Sequence, residues 1–262
     1  AECYVSDEMC FVLRICWLYG LAPLTFRHSG NGWLVKVYPR LPLLFYIKYI
    51  VLNIAAVAGL IIDLNVEPAR SVFIVTPTRA FTWITTYVSV FLIANVGVIQ
   101  SPWAMSGMTR CMNEIYLLNI EIKGKLIKEK NWKIRLAYIT ILTYVIVILC
   151  LNFCCTFYKV STGNRNVTSM LLYASFYYCY MSIIIFEMQF ICAATEVQKT
   201  LTSLNDLIEE VSEPIHSLEP LNETVRRLAL MHSRVCDAVR ELDSCYGLGM
   251  LLQLFTLVFN FV

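Results

Sequence analysis

Charge is what this sequence has least of. Asp, Glu, Lys and Arg make up only 15% of its 262 residues, and the formal net charge is +2. Soluble domains carry about 25% charged residues. The scarcity counts against nucleic acid as a partner, because no basic patch with interleaved aromatics is present to neutralise phosphates. Histidine is nearly missing: His28, His216 and His232 stand isolated from one another. There is no Gly-rich phosphate loop, no Ser/His/Asp ordering, and no CxxC or Cys/His pair at zinc spacing. Paired carboxylates inside apolar runs, the mark of a proton relay, are missing too. These gaps argue against an enzyme, a metal centre and a bound cofactor.

Apolar surface is what the chain has instead. Hydrophobic residues make up 58% of it, and the mean hydropathy is +0.63. A soluble chain of this length has no core large enough for that much apolar surface, so the excess must face lipid. The sequence therefore predicts an all-α integral membrane protein, a multi-span helical bundle. Its eleven cysteines do not read as a disulfide scaffold. Cys150, Cys154, Cys155, Cys179 and Cys192 fall inside apolar runs, and the short loops assigned to the outside contain none. Buried thiols acting as small hydrophobes are the expectation.

Taken in order, residues 1–40 read as a cytosolic N-terminal segment. The apolar run Cys10 to Phe26 is interrupted by Arg14, Gly20 and Pro23. That suits an interfacial or short cytosolic helix better than a signal peptide or a span. Residues 27–40 read as a loop. Spans are expected over 41–63, 80–99, 136–158 and 169–195, within a membrane region 41–195. Lys48 lies roughly 10 Å into the first, near enough to the surface to snorkel. A hydrophilic connection, 104–135, links the second and third spans. A cytosolic helical connection, 196–245, is expected to split near Pro214 and Pro220. An incomplete fifth span follows at 246–262, too short to cross because about 20 residues are needed. The chain, which starts at Ala1 without methionine, is expected to be a C-terminally truncated fragment of something longer.

Two features set the expected orientation, with the N terminus in the cytosol. Lys123, Lys125, Lys128, Lys130, Lys133 and Arg135 cluster before the third span, a local form of the positive-inside rule. Asn166-Val167-Thr168 is a glycosylation sequon in a short loop on the opposite side, and Asn166 is its acceptor. A second sequon, Asn222-Glu223-Thr224, is then cytosolic and unused.

Few residues inside the spans offer chemistry. Glu187 is expected near the cytosolic surface as an interfacial carboxylate. Asn152 and Gln189 are intramembrane amides suited to bonding between helices. Tyr173, Phe176, Tyr177 and Tyr180 recur at helical spacing on one face of the fourth span, with Tyr178 off that face. Trp83 and Tyr87 form an i, i+4 pair on the second span at similar depth. Such a set is either an interfacial anchoring belt or a pocket opening outward, apolar with a few hydroxyls, for a small organic ligand.

The most informative stretch is Leu221 to Val262. Apolar positions recur at Val225, Leu228, Met231, Val235, Val239 and Leu242 with charges on the other faces, and after Cys245 no charge returns. Arg227-Leu228, Met231-His232-Ser233-Arg234-Val235-Cys236, Val239-Arg240-Glu241-Leu242-Asp243, Tyr246-Gly247 and Leu251-Leu252 resemble the insect gustatory receptor family. So does the early Gly20-Leu21-Ala22-Pro23, and the span spacing agrees along the chain. Val235 and Asp243 stand where the family often has leucine and asparagine. The family's seventh-span Thr-Tyr and Gln signature has no counterpart here.

The resemblance implies a seven-span taste receptor, of which about five spans are present. It implies a ligand-gated cation channel subunit in the plasma membrane of sensory neurons, a homo- or hetero-tetramer with other gustatory receptor subunits, responding to a small-molecule tastant. The outer helix halves, with Trp83, Tyr87, Asn152, Tyr173, Phe176, Tyr177 and Tyr180, would hold the ligand. The amphipathic helix with Leu228, His232, Val235, Tyr246 and Gly247 would serve as a cytosolic anchor, His232 as a structural hydrogen-bonding residue. Without the pore-lining span, these 262 residues are not expected to conduct. Odorant receptors of the same fold are the nearest alternative. A G-protein-coupled receptor or a transporter fits less well, given the cysteine-free outer loops and the lack of inverted repeats.

Overall fold

Apolar length dominates the architecture. Four helices of the computed structural model are long and apolar enough to cross a membrane: Tyr46–Leu64, Pro77–Gln100, Trp132–Thr162 and Met170–Val211. The described residues are 2–29, 32–37, 42–67, 71–72, 76–123, 132–163, 167–212 and 218–261. Among them the elements run β1 (Glu2–Val5), α1 (Asp7–Tyr19), β2 (Leu24–Ser29), β3 (Gly32–Val37), α2 (Pro42–Leu64), α3 (Pro77–Lys123), α4 (Trp132–Thr162), α5 (Val167–Ser212) and α6 (Leu218–Phe261). The fold is an all-α, multi-span membrane bundle with a small N-terminal sheet. Asn166 and, of the basic cluster before α4, Lys125, Lys128 and Lys130 lie outside the described residues.

The chain divides into two compact units: residues 1–39, 101–131 and 187–248, and residues 40–100, 132–186 and 249–262. The first opens with a feature that the sequence reading missed. Residues 27–40 are not simply a loop: β2 and β3 occupy 24–29 and 32–37 and join β1 in an antiparallel sheet of order β1-β3-β2. Alternation explains it. The register puts Cys3, Val35, Phe26 and Leu24 on one face, and Cys3, Val35 and Leu24 are buried. Gly32 is required at the start of β3. Its φ is 147°, and a Cβ there would sit 2.8 Å from the Tyr116 hydroxyl.

Helix α1 is well terminated at both ends. Ser6 caps it by accepting from the Met9 amide at 3.2 Å, Asp7 and Glu8 occupy the first turn, and Gly20 closes it in the left-handed region. Arg14, the charge that interrupts this apolar run, lies with its guanidinium 4.2 Å from the Trp33 ring centroid.

In the same unit α3 and α6 run antiparallel. Helix α3 does not end with the span expected over 80–99 but continues to Lys123, well into the stretch expected to be a hydrophilic connection. An interior proline costs a helix about 3 kcal/mol. Burial of Met105, Met108, Cys111, Met112, Ile115 and Leu118 on one stripe offsets that. The facing stripe on α6 is Leu228, Met231, Val235, Ala238, Leu242 and Tyr246. This corrects the expected stripe: Val225 and Val239 are exposed, and Ala238 is the buried position. Steps of three and four residues from 228 to 242 give the 3.5 period of a coiled coil.

In the second unit, α4 is the peripheral helix. Only 6% of its apolar stretch is buried within the protein, against 50% of that on α5. Its surface is left to lipid, and Cys150, Cys154 and Cys155 are exposed there, contrary to the expectation of buried thiols. At the other end of α2, buried Asp63 accepts from the Ser71 hydroxyl and the Val72 amide, each at 2.8 Å. Val72 in turn packs with Val160, Met170 and Phe153.

Candidate ligand site

Two helices of the second unit bring the aromatic residues together. Tyr87 on α3 stacks on Phe176 of α5 at 4.9 Å, with its ring 6.1 Å from Tyr173. Trp83, one turn earlier on α3, meets Tyr173 edge-on at 5.5 Å. Along α5 itself, Tyr173 stacks on Phe176 at 4.9 Å and meets Tyr177 edge-on at 5.9 Å. Helix α4 adds Phe153, edge-on to Tyr177 at 5.9 Å, and Asn152, whose Oδ1 accepts from the Tyr177 hydroxyl at 3.5 Å. Offset and edge-on geometries are the favourable ones for aromatic pairs, each worth about 0.5–1.5 kcal/mol beyond area burial.

Burial divides this cluster into floor and rim. Tyr87, Tyr173 and Phe176 are buried. Trp83 and Tyr177 are partly accessible, and Asn152 is exposed. The rim is therefore a surface of two aromatic faces, one hydroxyl and one amide resting on a rigid aromatic base. It can take a small apolar molecule and offer it a few hydrogen bonds. Tyr180 departs from the rest: it is 41% exposed and lies one turn beyond the buried floor. Of the seven residues read from the sequence as ligand-facing, six gather here.

Sequence reading missed the polar groups beneath. Asn53 on α2 donates from Nδ2 to Asn95 Oδ1 on α3 at 3.0 Å, and Asn95 Nδ2 donates to the Phe91 carbonyl at 2.7 Å. The Cys179 thiol donates to Asn53 Oδ1 at 3.6 Å. Lys48 does not depend on snorkelling alone: its ammonium lies 4.7 Å from the Tyr178 ring centroid. An isolated asparagine within an apolar helix was the signal available for Asn53 and Asn95, and only their pairing marks them as more than packing.

The family-motif residues lie elsewhere. Leu228, Val235 and Tyr246 are buried in the first unit, and Tyr246 sits 5.5 Å from the Phe190 ring. His232 is exposed, with Nδ1 3.7 Å from the Cys236 sulfur. A Cβ at Gly247 would approach Asp243 Oδ1 to 3.2 Å. Charged pairs flank this packing. Arg110 Nε donates to Glu241 at 2.6 Å, and Arg234 bridges Glu114 at 2.9 Å and Glu121 at 3.1 Å. Gln189, read as an intramembrane amide, is buried in this unit, donating to the Met105 sulfur at 3.3 Å and accepting from the Cys16 thiol at 3.9 Å. Burial pushes both Cys16 and Cys111 up to about 12, with nearby Glu241 adding to the effect at Cys111.

Comparison with known families places these features. No individual curated protein matches the sequence. The family described as 7tm chemosensory receptor matches residues 9–262, which takes in the aromatic cluster and the α3–α6 packing alike. The chain belongs to that family and is a chemoreceptor with membrane-spanning helices.

Proposed function

We propose that this chain is part of a gustatory receptor, a ligand-gated cation channel subunit that detects a small-molecule tastant at the aromatic rim of Trp83, Tyr177 and Asn152. The observation that carries this reading is the floor-and-rim arrangement. Rigid stacked rings lie below, and partly accessible rings with a hydroxyl and an amide lie above. The motif residues from Arg227 to Leu252 favour the gustatory over the odorant branch. An N terminus in the cytosol, the plasma membrane of sensory neurons and assembly as a tetramer belong to the same proposal.

The mechanism is coupling. A ligand biases a channel only by its differential affinity for open and closed states. Helices α3 and α5 are suited to carry that bias. Each holds ligand-site residues and, further along one unbroken helix, residues of the Met- and Cys-rich packing around α6.

Recordings from cells expressing the full-length receptor test the proposal. Sugars, bitter compounds and volatile odorants applied in turn should evoke cation currents with the tastants. Currents with odorants alone would move the chain to the odorant branch, and currents with no ligand class would count against the channel reading.

A further inference from the structure

One long stretch of the chain has no acidic residue. Between Glu8 and Asp63 the sequence contains neither Asp nor Glu, while Arg14, Arg27, Lys36, Arg40 and Lys48 fall within it. Lys36 reaches back to Glu2 at 3.7 Å. Arg14 and Arg27 have no carboxylate partner among the described residues. On α3 and α6, by contrast, Arg110, Arg227 and Arg234 each meet a glutamate. Arg14 meets aromatic rings instead: its guanidinium lies 4.2 Å from the Trp33 ring centroid and 5.7 Å from that of Phe26. His28 packs edge-on against the same Trp33 at 4.9 Å. Ring faces position a guanidinium without using its N–H groups, so the donors of Arg14 stay open.

Helical spacing sets apolar side chains beside it. Trp17 and Leu18 follow Arg14 by three and four residues and share its face of α1. They are 43% and 70% exposed, while Met9, Val12, Leu13 and Cys16 of the same helix are buried. An open guanidinium next to an exposed indole and leucine suits a lipid headgroup layer, with phosphate on the arginine and the apolar groups below it. The chain also ties this surface to lipid. Only residues 38–41 separate the end of β3 at Val37 from Pro42, the start of α2, which carries the first membrane-length stretch.

We propose that Arg14, Trp17 and Leu18, backed by Trp33 and Phe26, bind the headgroup phosphate of an anionic phospholipid in the adjoining leaflet. Arg14 donates to the phosphate oxygens, and Trp17 and Leu18 enter the interface beside it. Charge names the occupant: a stretch with positive charge alone, leading into a membrane helix, complements an anionic leaflet. None of these residues belongs to the aromatic rim, so the site stands or falls apart from the tastant reading.

The test is tryptophan quenching by brominated phosphatidylcholine, with the chain in nanodiscs containing none or increasing amounts of phosphatidylserine. The Trp17 signal is the difference between wild type and Trp17→Phe, since the other tryptophans are common to both. That signal should be quenched, more so as phosphatidylserine rises, and 0.5 M NaCl should weaken the rise. Arg14→Gln, at an exposed position, should keep its helix content by circular dichroism and need about fivefold more phosphatidylserine for half the effect. Absence of Trp17 quenching in every lipid would overturn the proposal, because the patch would then face water or another protein. Quenching that ignores phosphatidylserine, or is unaltered in Arg14→Gln, would remove the phosphate site and leave apolar insertion alone. Loss of the phosphatidylserine effect on adding inorganic phosphate at constant ionic strength would overturn the lipid assignment in favour of a soluble anion.

Discussion

The two units of this receptor are built from different chemistry. The unit containing α1, the sheet and the α3–α6 pair is held by sulfur-rich packing in its interior and ion pairs around it. Met105, Met108, Cys111, Met112 and Met231 are buried, while Arg110, Arg234 and Arg227 reach Glu241, Glu114 and Glu121. The other unit has aromatic stacks and an amide pair, Asn53 with Asn95, and its outer helix α4 leaves nearly all its side chains to lipid. Where water supplies the hydrophobic drive, any well-filled core will do and charges can ring it. Where lipid is as apolar as leucine, specificity must come from ring geometry and hydrogen bonds. One unit carries an interlocked helix pair, the other a partly accessible aromatic face with a hydroxyl and an amide.

The largest effect should separate the units by burial alone. Tyr246→Ala empties a fully buried position and should cost about 3–5 kcal/mol. Tyr144→Ala on α4, where the ring is 66% exposed to lipid, should shift Tm by less than one degree. Chemical and thermal denaturation of both variants would check the pair. Equal losses would break the distinction between a packed unit and a lipid-facing helix.

The close approach of α3 to α6 gives a smaller, more specific effect. A Cβ at Gly107 would lie 2.5 Å from the Cys245 sulfur. Gly107→Ala should therefore destabilise by about 1–3 kcal/mol, with Cys245→Ala restoring most of the loss. If the double variant is no more stable than Gly107→Ala alone, the two helices do not meet as described.

Alkaline titration sharpens the same point. Cys16 and Cys111 have pKa values raised from the ordinary 9.0 to about 12 by burial. In the unfolded chain they ionise first, so above pH 9 the folded state binds more protons than the unfolded one. The stabilising contribution of the neutral thiols is complete below pH 9 and is lost as pH climbs toward 12. Each contributes a slope of at most about 1.4 kcal/mol per pH unit. Cys111→Ser should flatten the decline in Tm between pH 9 and 10.5. An identical decline in the variant would mean that this thiol is not the source.

The smallest effect belongs to the rim of ion pairs. Arg234 is about a third exposed, and pairs of that kind are worth about 0.2–1 kcal/mol each. Arg234→Ala should lower Tm slightly at low salt and hardly at all at 0.5 M NaCl. A loss that salt leaves unchanged would assign Arg234 to packing through its alkyl stem instead.

What could be read from the sequence follows the same division. Long apolar runs fix helices of membrane length, and helical spacing put Tyr173, Phe176, Tyr177 and Tyr180 on one face of the fourth span and Trp83 with Tyr87 on the second; that the two sets touch, and that Tyr180 stands apart, only the structure shows. Short alternation was less legible. The Asn31-Gly32 pair between Leu24-Thr25-Phe26 and Trp33-Leu34-Val35 is a hairpin signal, but Gly and basic residues nearby made the segment read as a loop. The continuation of α3 was hidden because Gln100-Ser101-Pro102-Trp103 looks like the close of a span, with a proline and an interfacial tryptophan. Only the opposing stripe of α6, more than a hundred residues later, shows why the helix persists. Asn53 and Asn95 were silent for a related reason: each is an ordinary amide until the other is placed beside it.

The account rests on the aromatic rim as the ligand site. Concentration–response curves from cells expressing the full-length receptor, wild type against Trp83→Ala and Tyr177→Ala, test it most directly. Loss of one edge of the rim should raise the half-maximal concentration about tenfold or more, equivalent to about 1.4 kcal/mol, with surface expression unchanged. Tyr180→Ala, one turn beyond the floor, should shift it little. Wild-type curves from both rim variants would contradict the account and return these residues to the role of an interfacial belt.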